Sequence, residues 1–371
     1  MTFTSLELRS EITADGQLKL SLEEREVGDP GPDEVVVRVD AAPINPSDLA
    51  QLLGPADLDT LEASGTPERP VATATVPRQV LPAVANRVGR SLTLGNEGAG
   101  VVVAAGANVQ HLTGKLVSAF GGMMYTRYRT LPAMQVHPFP DGVTAQQGAS
   151  AFVNPMTALG MVSTMRREDH TALVHTAAAS NLGQMLLRLC LAEGIGLVNV
   201  VRSEAQEEIL RSIGATYVVN SSAGDFRDQL QAAIGETGAT LAFDAVGGGA
   251  LGGQILAAME AAALAKAPAA GPYGSGTRKQ LYVYGRLDRS PTTIPMAVGM
   301  TWGAGGWLLG DHLARVGGEE MMRMRAKVAE EITTTFASHY TDEIGLAEAV
   351  DPETVRRYGR MATGEKFLLR P

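Results

Sequence analysis

One cysteine in 371 residues, Cys190, rules out an intrachain disulfide and any zinc site built from several thiolates. It lies in the apolar run MLLRLCLA, where its expected place is the core. No stretch approaches the roughly 18 uninterrupted apolar residues that span a bilayer, and the N-terminal MTFTSLELRS lacks the apolar run of a signal peptide, so the expected compartment is the cytoplasm. Basic residues are few and scattered. With 31 Lys and Arg against 40 Asp and Glu, the net charge of -9 offers no footprint for nucleic acid or an anionic membrane, although a local basic cleft for a phosphorylated cofactor remains compatible with it. The three-glycine fingerprint of a dinucleotide turn is also missing.

What is present is length and alternation. A chain of 371 residues exceeds what one core usually spans, which predicts two domains. Up to about residue 150, short β-branched runs such as Val35–Asp40 (VVVRVD) and Gly100–Ala105 alternate with Gly and Pro turns, predicting a β-rich domain. About forty residues rich in Ala, Pro, Thr and Arg, from Pro55 to Leu94, interrupt it; at this length they read as a lid or a disordered loop. From about Asn154 strands and helices alternate: TALVHTA, LGQMLLRLCLAEG, LVNVV, EAQEEILRSIG, TYVVN, ATLAFDAVGG, GGQILAAMEAAA and QLYVYG. That order predicts a doubly wound parallel sheet of the α/β class. LAKAPAAGPYGSGTRK reads as a flexible connection, and the terminal TGEKFLLRP as a strand returning to the first domain.

The first strand of the alternating region ends in a turn of small residues, Ala177-Ala178-Ala179-Ser180-Asn181-Leu182-Gly183, opening an apolar helix whose next residue is Gln184. Small side chains there let backbone N–H groups and the helix dipole meet a pyrophosphate. An ordinary strand-to-helix turn is the competing explanation. Arg202 ends the next strand, nineteen positions after Gly183, with Ser203 beside it, where an NAD-binding protein commonly places an acid; a cation there suits the 2′-phosphate of NADP(H). Ala245-Val246-Gly247 and Tyr284-Gly285 follow later strands, at the sheet end where such folds bind ligands, and structural glycine turns are the rival reading for both.

AAPINPSDL (41–49), LGNEGAGVV (94–102), YTRYRTLPA (125–133), FVNPMTALGM (152–161), the AAASNLGQ turn, NVVRS (199–203) and GEKFLL (364–369) occur in an order and spacing that resemble the medium-chain dehydrogenase/reductase superfamily, in particular its zinc-independent quinone reductase and 2-enoyl thioester reductase branches. The resemblance implies a GroES-like β-rich domain over residues 1–155, completed by 315–371, and a Rossmann NADP(H)-binding domain over 156–314. It adds Lys366 of the terminal segment to the cofactor residues and implies homodimers or tetramers. Zinc-dependent relatives carry a cysteine at the place of Asn45 and a histidine before the acid that here is Glu97; carboxamides are poor zinc ligands, so no metal is expected.

The expected activity is hydride transfer from NADPH to a small-molecule acceptor, a quinone or enone, with 2-enoyl thioester reduction as the alternative and a non-catalytic NADPH-binding protein as the reading from another class. Asn45, Asn154 and Thr157 are candidates to hold substrate or nicotinamide, while Asn45 and Asn154, each before a proline, also suit a turn and a strand end. Enoyl thioester reductases place a tyrosine acid where this chain has Ala56, which leaves Tyr125 and Tyr128 as candidate proton donors against a packing role. Arg69, Arg78, Arg87 and Arg90 of the 55–94 segment suit either a phosphorylated carrier or solvent.

Overall fold

The computed structural model describes residues 2–266, 271–362 and 364–371, and these divide into two compact units, 1–153 with 325–371 and 154–324. The expected boundaries at 155 and 315 therefore differ, the second by ten residues.

The first unit is built largely of antiparallel strands. Its N-terminal part carries β1 (Phe3–Ile12), β2 (Gln17–Val27), β3 (Glu34–Pro43), α1 (Pro46–Leu52), β4 (Glu62–Thr66), β5 (Arg69–Thr75), β6 (Leu92–Thr93), β7 (Glu97–Ala105), β8 (Leu116–Phe120), β9 (Tyr128–Pro132), β10 (Val136–Pro138) and α2 (Ala145–Gly148). One sheet runs β4-β5-β2-β1-β6, and a second contains β10-β8-β7-β3 with β9 also on β3. Alternation of buried and exposed residues along β1 and β2 puts Leu8, Ile12, Leu18 and Leu20 into a core shared with Val35, Val37 and Val39.

The segment 55–94 is neither a lid nor a disordered loop. It forms the β4–β5 hairpin, which extends the first sheet, followed by 3-10 turns over Arg78–Arg87 whose Leu81 and Val84 pack on the same core. Arg87 donates to the carbonyl oxygens of Ala50 (3.1 Å) and Gln51 (2.6 Å), capping the end of α1, and Arg69 pairs with Glu24. Arg78 and Arg90 remain exposed.

The second unit follows α3 (Val153–Arg167) with β11 (Ala172–Thr176), α4 (Asn181–Glu193), β12 (Gly196–Val201), α5 (Glu204–Ile213), β13 (Tyr217–Asn220), α6 (Phe226–Thr237), β14 (Leu241–Asp244), α7 (Leu251–Lys266), β15 (Lys279–Val283), β16 (Trp302–Gly306) and α8 (Leu309–Val316). Every pairing in its sheet is parallel and the order is β13-β12-β11-β14-β15-β16. This is the doubly wound arrangement with its switch point between β11 and β14. β11 and β14 are buried throughout, which is why each opens on consecutive apolar residues (Ala172-Leu173-Val174 and Leu241-Ala242-Phe243) rather than alternating ones, with hydrogen-bonded polar residues only at their C-terminal ends. After α9 (Gly318–Glu330), β17 (Asp342–Gly345), α10 (Pro352–Gly359) and β18 (Phe367–Arg370) belong to the first unit, where β18 pairs with β3.

The expected flexible connection after α7 lies partly outside the described residues, and its described end is anchored. Glu260 of α7, 3% exposed, accepts from the Ser275 amide (2.6 Å), the Ser275 hydroxyl (2.5 Å) and Lys279 Nζ, and Lys279 is fully buried. Removing one partner of such a pair leaves an uncompensated charge, at about 3–5 kcal/mol. Lys279→Met should lower the melting temperature by on the order of 10 °C in differential scanning fluorimetry; an unchanged value would show that the ion pair contributes no net stability.

Candidate active site

Asn45 precedes α1 and is 1% exposed. Its Nδ2 donates to Glu97 Oε1 at 2.8 Å, while Glu97 Oε2 accepts from the amides of Phe152 (2.7 Å) and Val153 (2.9 Å). Burial pushes the Glu97 carboxyl above its ordinary value, and the nearby Lys366 ammonium and these donors pull it back. All three recorded partners are N–H donors, the surroundings of a carboxylate. Asp48 sits beside this pair, accepting from the amides of Asn45 (2.9 Å) and Asn96 (2.9 Å), and burial pushes it up to about 7. The two acids tie the start of α1 to the 95–97 segment. Asn45 Oδ1 is buried with no hydrogen-bond partner among the described residues, so the carboxamide still offers an acceptor.

Tyr125 is not available as a proton donor. It is 1% exposed, its hydroxyl donates to Pro43 O at 3.0 Å, and burial raises its pKa well above the ordinary value. Tyr128 lies on β9 and stacks on Phe3. Lys366, assigned from sequence to the cofactor, is half-buried just before β18; its Nζ donates to Ser150 Oγ at 2.7 Å, and Ser150 Oγ lies 2.8 Å from Tyr340 Oη. Sequence reasoning passed over Ser150 and Tyr340, which are 190 positions apart and share no local signature.

In the second unit Asn154 does not end a strand: it lies in the first turn of α3, with Thr157 buried one turn on. At the β11–α4 turn, Ala177 adopts φ +50°, a left-handed conformation that costs a non-glycine residue about 1–3 kcal/mol and clusters at ligand-binding turns. Ser180 caps α4 by accepting from the Gly183 amide (3.2 Å), and Gln184 Nε2 donates to Ala179 O (2.9 Å). A Cβ at Gly183 would lie 2.1 Å from Ala178 O, so only glycine permits this turn. Asn181 is half-buried and Leu182 buried at its start.

Arg202, directly after β12, is exposed, and its guanidinium has no ion pair among the described residues; Ser203 caps α5. Asp244 accepts from Thr176 Oγ1 (2.6 Å) and from the amides of Val246 (2.9 Å) and Gly247 (3.1 Å), which shapes the Ala245-Val246-Gly247 turn. Gly247, at φ +79°, closely approaches Gly285 O. Tyr284 Oη lies 2.7 Å from Nε2 of His175, whose imidazole burial pushes down to about 3 and so keeps neutral. Packing thus accounts for several of these residues. Arg202 has no structural duty that would explain its charge.

A dinucleotide fits this turn: small residues, a capped helix start and an uncommitted cation follow one another along the strand ends. Zinc does not fit. Glu97 is saturated by N–H donors, Asn96 Nδ2 donates to Ser47 Oγ (3.2 Å), Cys190 is buried within α4 with its thiol pushed up to about 12, and no group of three or more His, Cys, Asp or Glu among the described residues could hold a metal ion.

The alcohol dehydrogenase GroES-like domain matches residues 31–141, and the domain described as zinc-binding dehydrogenase follows at 182–264. The chain belongs to the medium-chain dehydrogenase/reductase superfamily. Proteins similar to it include the rat synaptic vesicle membrane protein VAT-1 homolog, 29% identical over 59% of this chain and 48% of its own length. The mitochondrial enoyl-[acyl-carrier-protein] reductase of Caenorhabditis elegans is 32% identical over 51% of this chain and 49% of its own. The chain thus spans about half the length of these curated relatives. Over whole chains, a Bacillus thuringiensis protein named by inference an NADPH:quinone reductase superposes with a TM-score of 0.75 at 20% identity, covering 100% of this chain and 99% of that one. This likeness shows the superfamily's fold.

The buried Asp48 supplies a pH test. The folded state keeps its proton up to about pH 7, whereas the unfolded chain releases it near 4, so this group's contribution to stability falls as pH rises between those values. The melting temperature of the wild type minus that of Asp48→Asn should be largest near pH 4 and shrink steadily toward pH 7.5; a constant difference would place the Asp48 pKa in the ordinary range.

Proposed function

We propose that this chain is an NADPH-dependent reductase that adds hydride to a quinone or an activated carbon–carbon double bond without zinc. The observation that carries the reading is Arg202, an exposed cation at the end of β12 with no ion pair among the described residues, one strand along from the capped small-residue turn. Ser180, Asn181, Leu182, Gly183 and Gln184 would face the pyrophosphate, and Arg202 with Ser203 the 2′-phosphate. Ala245, Val246, Gly247, Tyr284 and Gly285 would line the same sheet end. Bound NADPH supplies the hydride.

The protein's part is orientation and charge. Asn45 has spent one of its two Nδ2 hydrogens on Glu97, so its carboxamide keeps a second N–H as well as its oxygen for a bound molecule. Asn154 and Thr157 remain candidates for the oxyanion. Among the described residues a Lewis acid has no donor set, which favours acceptors that are already electrophilic over alcohols. Likeness to an enoyl-[acyl-carrier-protein] reductase supports enoyl thioesters as the second substrate class. The Ala56 position counts against it, and of the insertion's arginines only Arg78 and Arg90 are free of structural contacts among the described residues.

Among the described residues, no helix is long and apolar enough to cross a membrane, and we assign the cytoplasm as the place of action. A homodimer is supported by the edge strand β16, which opens on Trp302 (38% exposed), together with the exposed Met296 (97%) and Met300 (72%) of the segment before it. Light scattering should give twice 38.9 kDa, and Trp302→Arg should yield monomer; a monomeric wild type would remove the dimer from this reading.

Absorbance at 340 nm, followed with 1,4-benzoquinone, 9,10-phenanthrenequinone, a simple enone and crotonyl-coenzyme A, tests the activity. NADPH should be preferred to NADH by about ten- to hundredfold, and Arg202→Asp should abolish that preference. NADPH binding without turnover on any acceptor would instead favour a non-catalytic role.

A further inference from the structure

Reduction of an enone or quinone requires a proton as well as a hydride, and with Tyr125 sealed in the core, the described residues of the first unit include another hydrogen-bonded route, through Lys366. Lys366 Nζ donates to Ser150 Oγ at 2.7 Å, Ser150 is fully buried, and its hydroxyl lies 2.8 Å from Tyr340 Oη. The ammonium also sits 5.2 Å over the Tyr340 ring. Lys366 has no ion pair among the described residues, yet it is held near the buried cluster of Asn45, Glu97 and Asp48 and keeps part of its surface exposed.

We propose that Lys366 is the acid that protonates the reduced acceptor, with Ser150 and Tyr340 as the positioning residues that return its proton. The proposal rests on the reductase reading above. An enone that has received hydride at its β-carbon carries the displaced π electrons on its carbonyl as an enolate, and a quinone that has received hydride on one carbonyl oxygen is left as a hydroquinone anion on the other. One Lys366 N–H bond breaks, its proton forms the new C–H or O–H bond of the product, and the amine is left neutral. Ser150 Oγ–H then donates to the amine while Tyr340 Oη–H donates to Ser150 Oγ, and Tyr340 regains a proton from water. The sum is acceptor, hydride and one solvent proton giving the reduced product, with all three side chains restored.

Electrostatics agree with the geometry. The groups that face Lys366 are Glu97 of β7, Asp48 of α1, Ser150 after α2 and Tyr340 before β17. Burial pulls the ammonium down to about 8, against the two carboxyls that raise it, and burial holds the Tyr340 hydroxyl protonated throughout the working range. An acid near 8 is charged at pH 7 and close enough to neutrality to give up its proton, the condition for an effective general acid.

The test compares pH–rate profiles from pH 6 to 10 for wild type, Lys366→Met, Lys366→Arg and Tyr340→Phe with a simple enone, alongside NADPH affinity by fluorescence. The reactivity of the Lys366 amine toward trinitrobenzenesulfonate is read in parallel by peptide mass spectrometry. Wild-type kcat should fall as pH rises through about 8, and Lys366 labelling should rise with the same midpoint. Both Lys366 variants should lose about hundredfold or more in kcat, with NADPH affinity within threefold of wild type. Lys366→Arg keeps the charge and cannot release its proton, so its loss separates acid catalysis from packing. Tyr340→Phe should lower kcat about tenfold and leave KM unchanged. Wild-type kcat profiles reproduced by Lys366→Arg would overturn the relay, as would loss of NADPH affinity with kcat intact at saturation, which would return Lys366 to the cofactor. No wild-type turnover on any acceptor would instead overturn the reductase reading, and this proposal with it.

Discussion

Much of the first unit depends on one buried carboxylate. Glu97, at the start of β7, gathers the side chain of Asn45 and the amides of Phe152 and Val153, three segments that are far apart in sequence. A buried carboxylate is costly unless its oxygens are matched by donors, so these contacts are either made together or lost together. That constraint brings α1, the 95–97 turn and the last residues before α3 to one point. It also fixes the orientation of the Asn45 carboxamide, whose nitrogen is held against Glu97.

The second unit meets a similar problem differently. At the end of β14, Asp244 spends its carboxylate on Thr176 and two backbone amides, turning the chain beside the switch point. The strain at Ala177 is held on the neighbouring strand by the capped start of α4. Rigid turns at strand ends present backbone N–H groups without the entropy of a mobile loop, which is why polar recognition in such folds is assigned there rather than to the connections at the opposite end.

The parallel sheet was legible because buried strands and amphipathic helices carry different hydrophobic periods, and each unit from β11 to β15 stays close to its own pattern. α6 escaped notice because in FRDQLQAAIGET the buried Phe226, Leu230 and Ile234 make only a weak apolar stripe, broken by polar residues and Gly235. The 55–94 insertion misled for a related reason: β4 is exposed along its whole length and β5 relies on alanine and threonine, so neither strand shows the alternation of a half-buried hairpin. Asn45 could be singled out because it stands before Pro46 in a recognisable segment. Ser150, Tyr340 and Lys366 could not be joined, since only the return of the chain through β17 and β18 brings them within hydrogen-bonding distance.

Cys190 gains a meaning from the chemistry assigned to the protein. Quinones and enones alkylate thiolates, and at pH 7 a thiol whose pKa is about 12 is ionised to roughly one part in 10⁵ and, inside α4, is shielded as well. A protein proposed to meet soft electrophiles as substrates thus carries no accessible thiol, which protects it from the alkylation of cysteine by the molecules it is proposed to reduce.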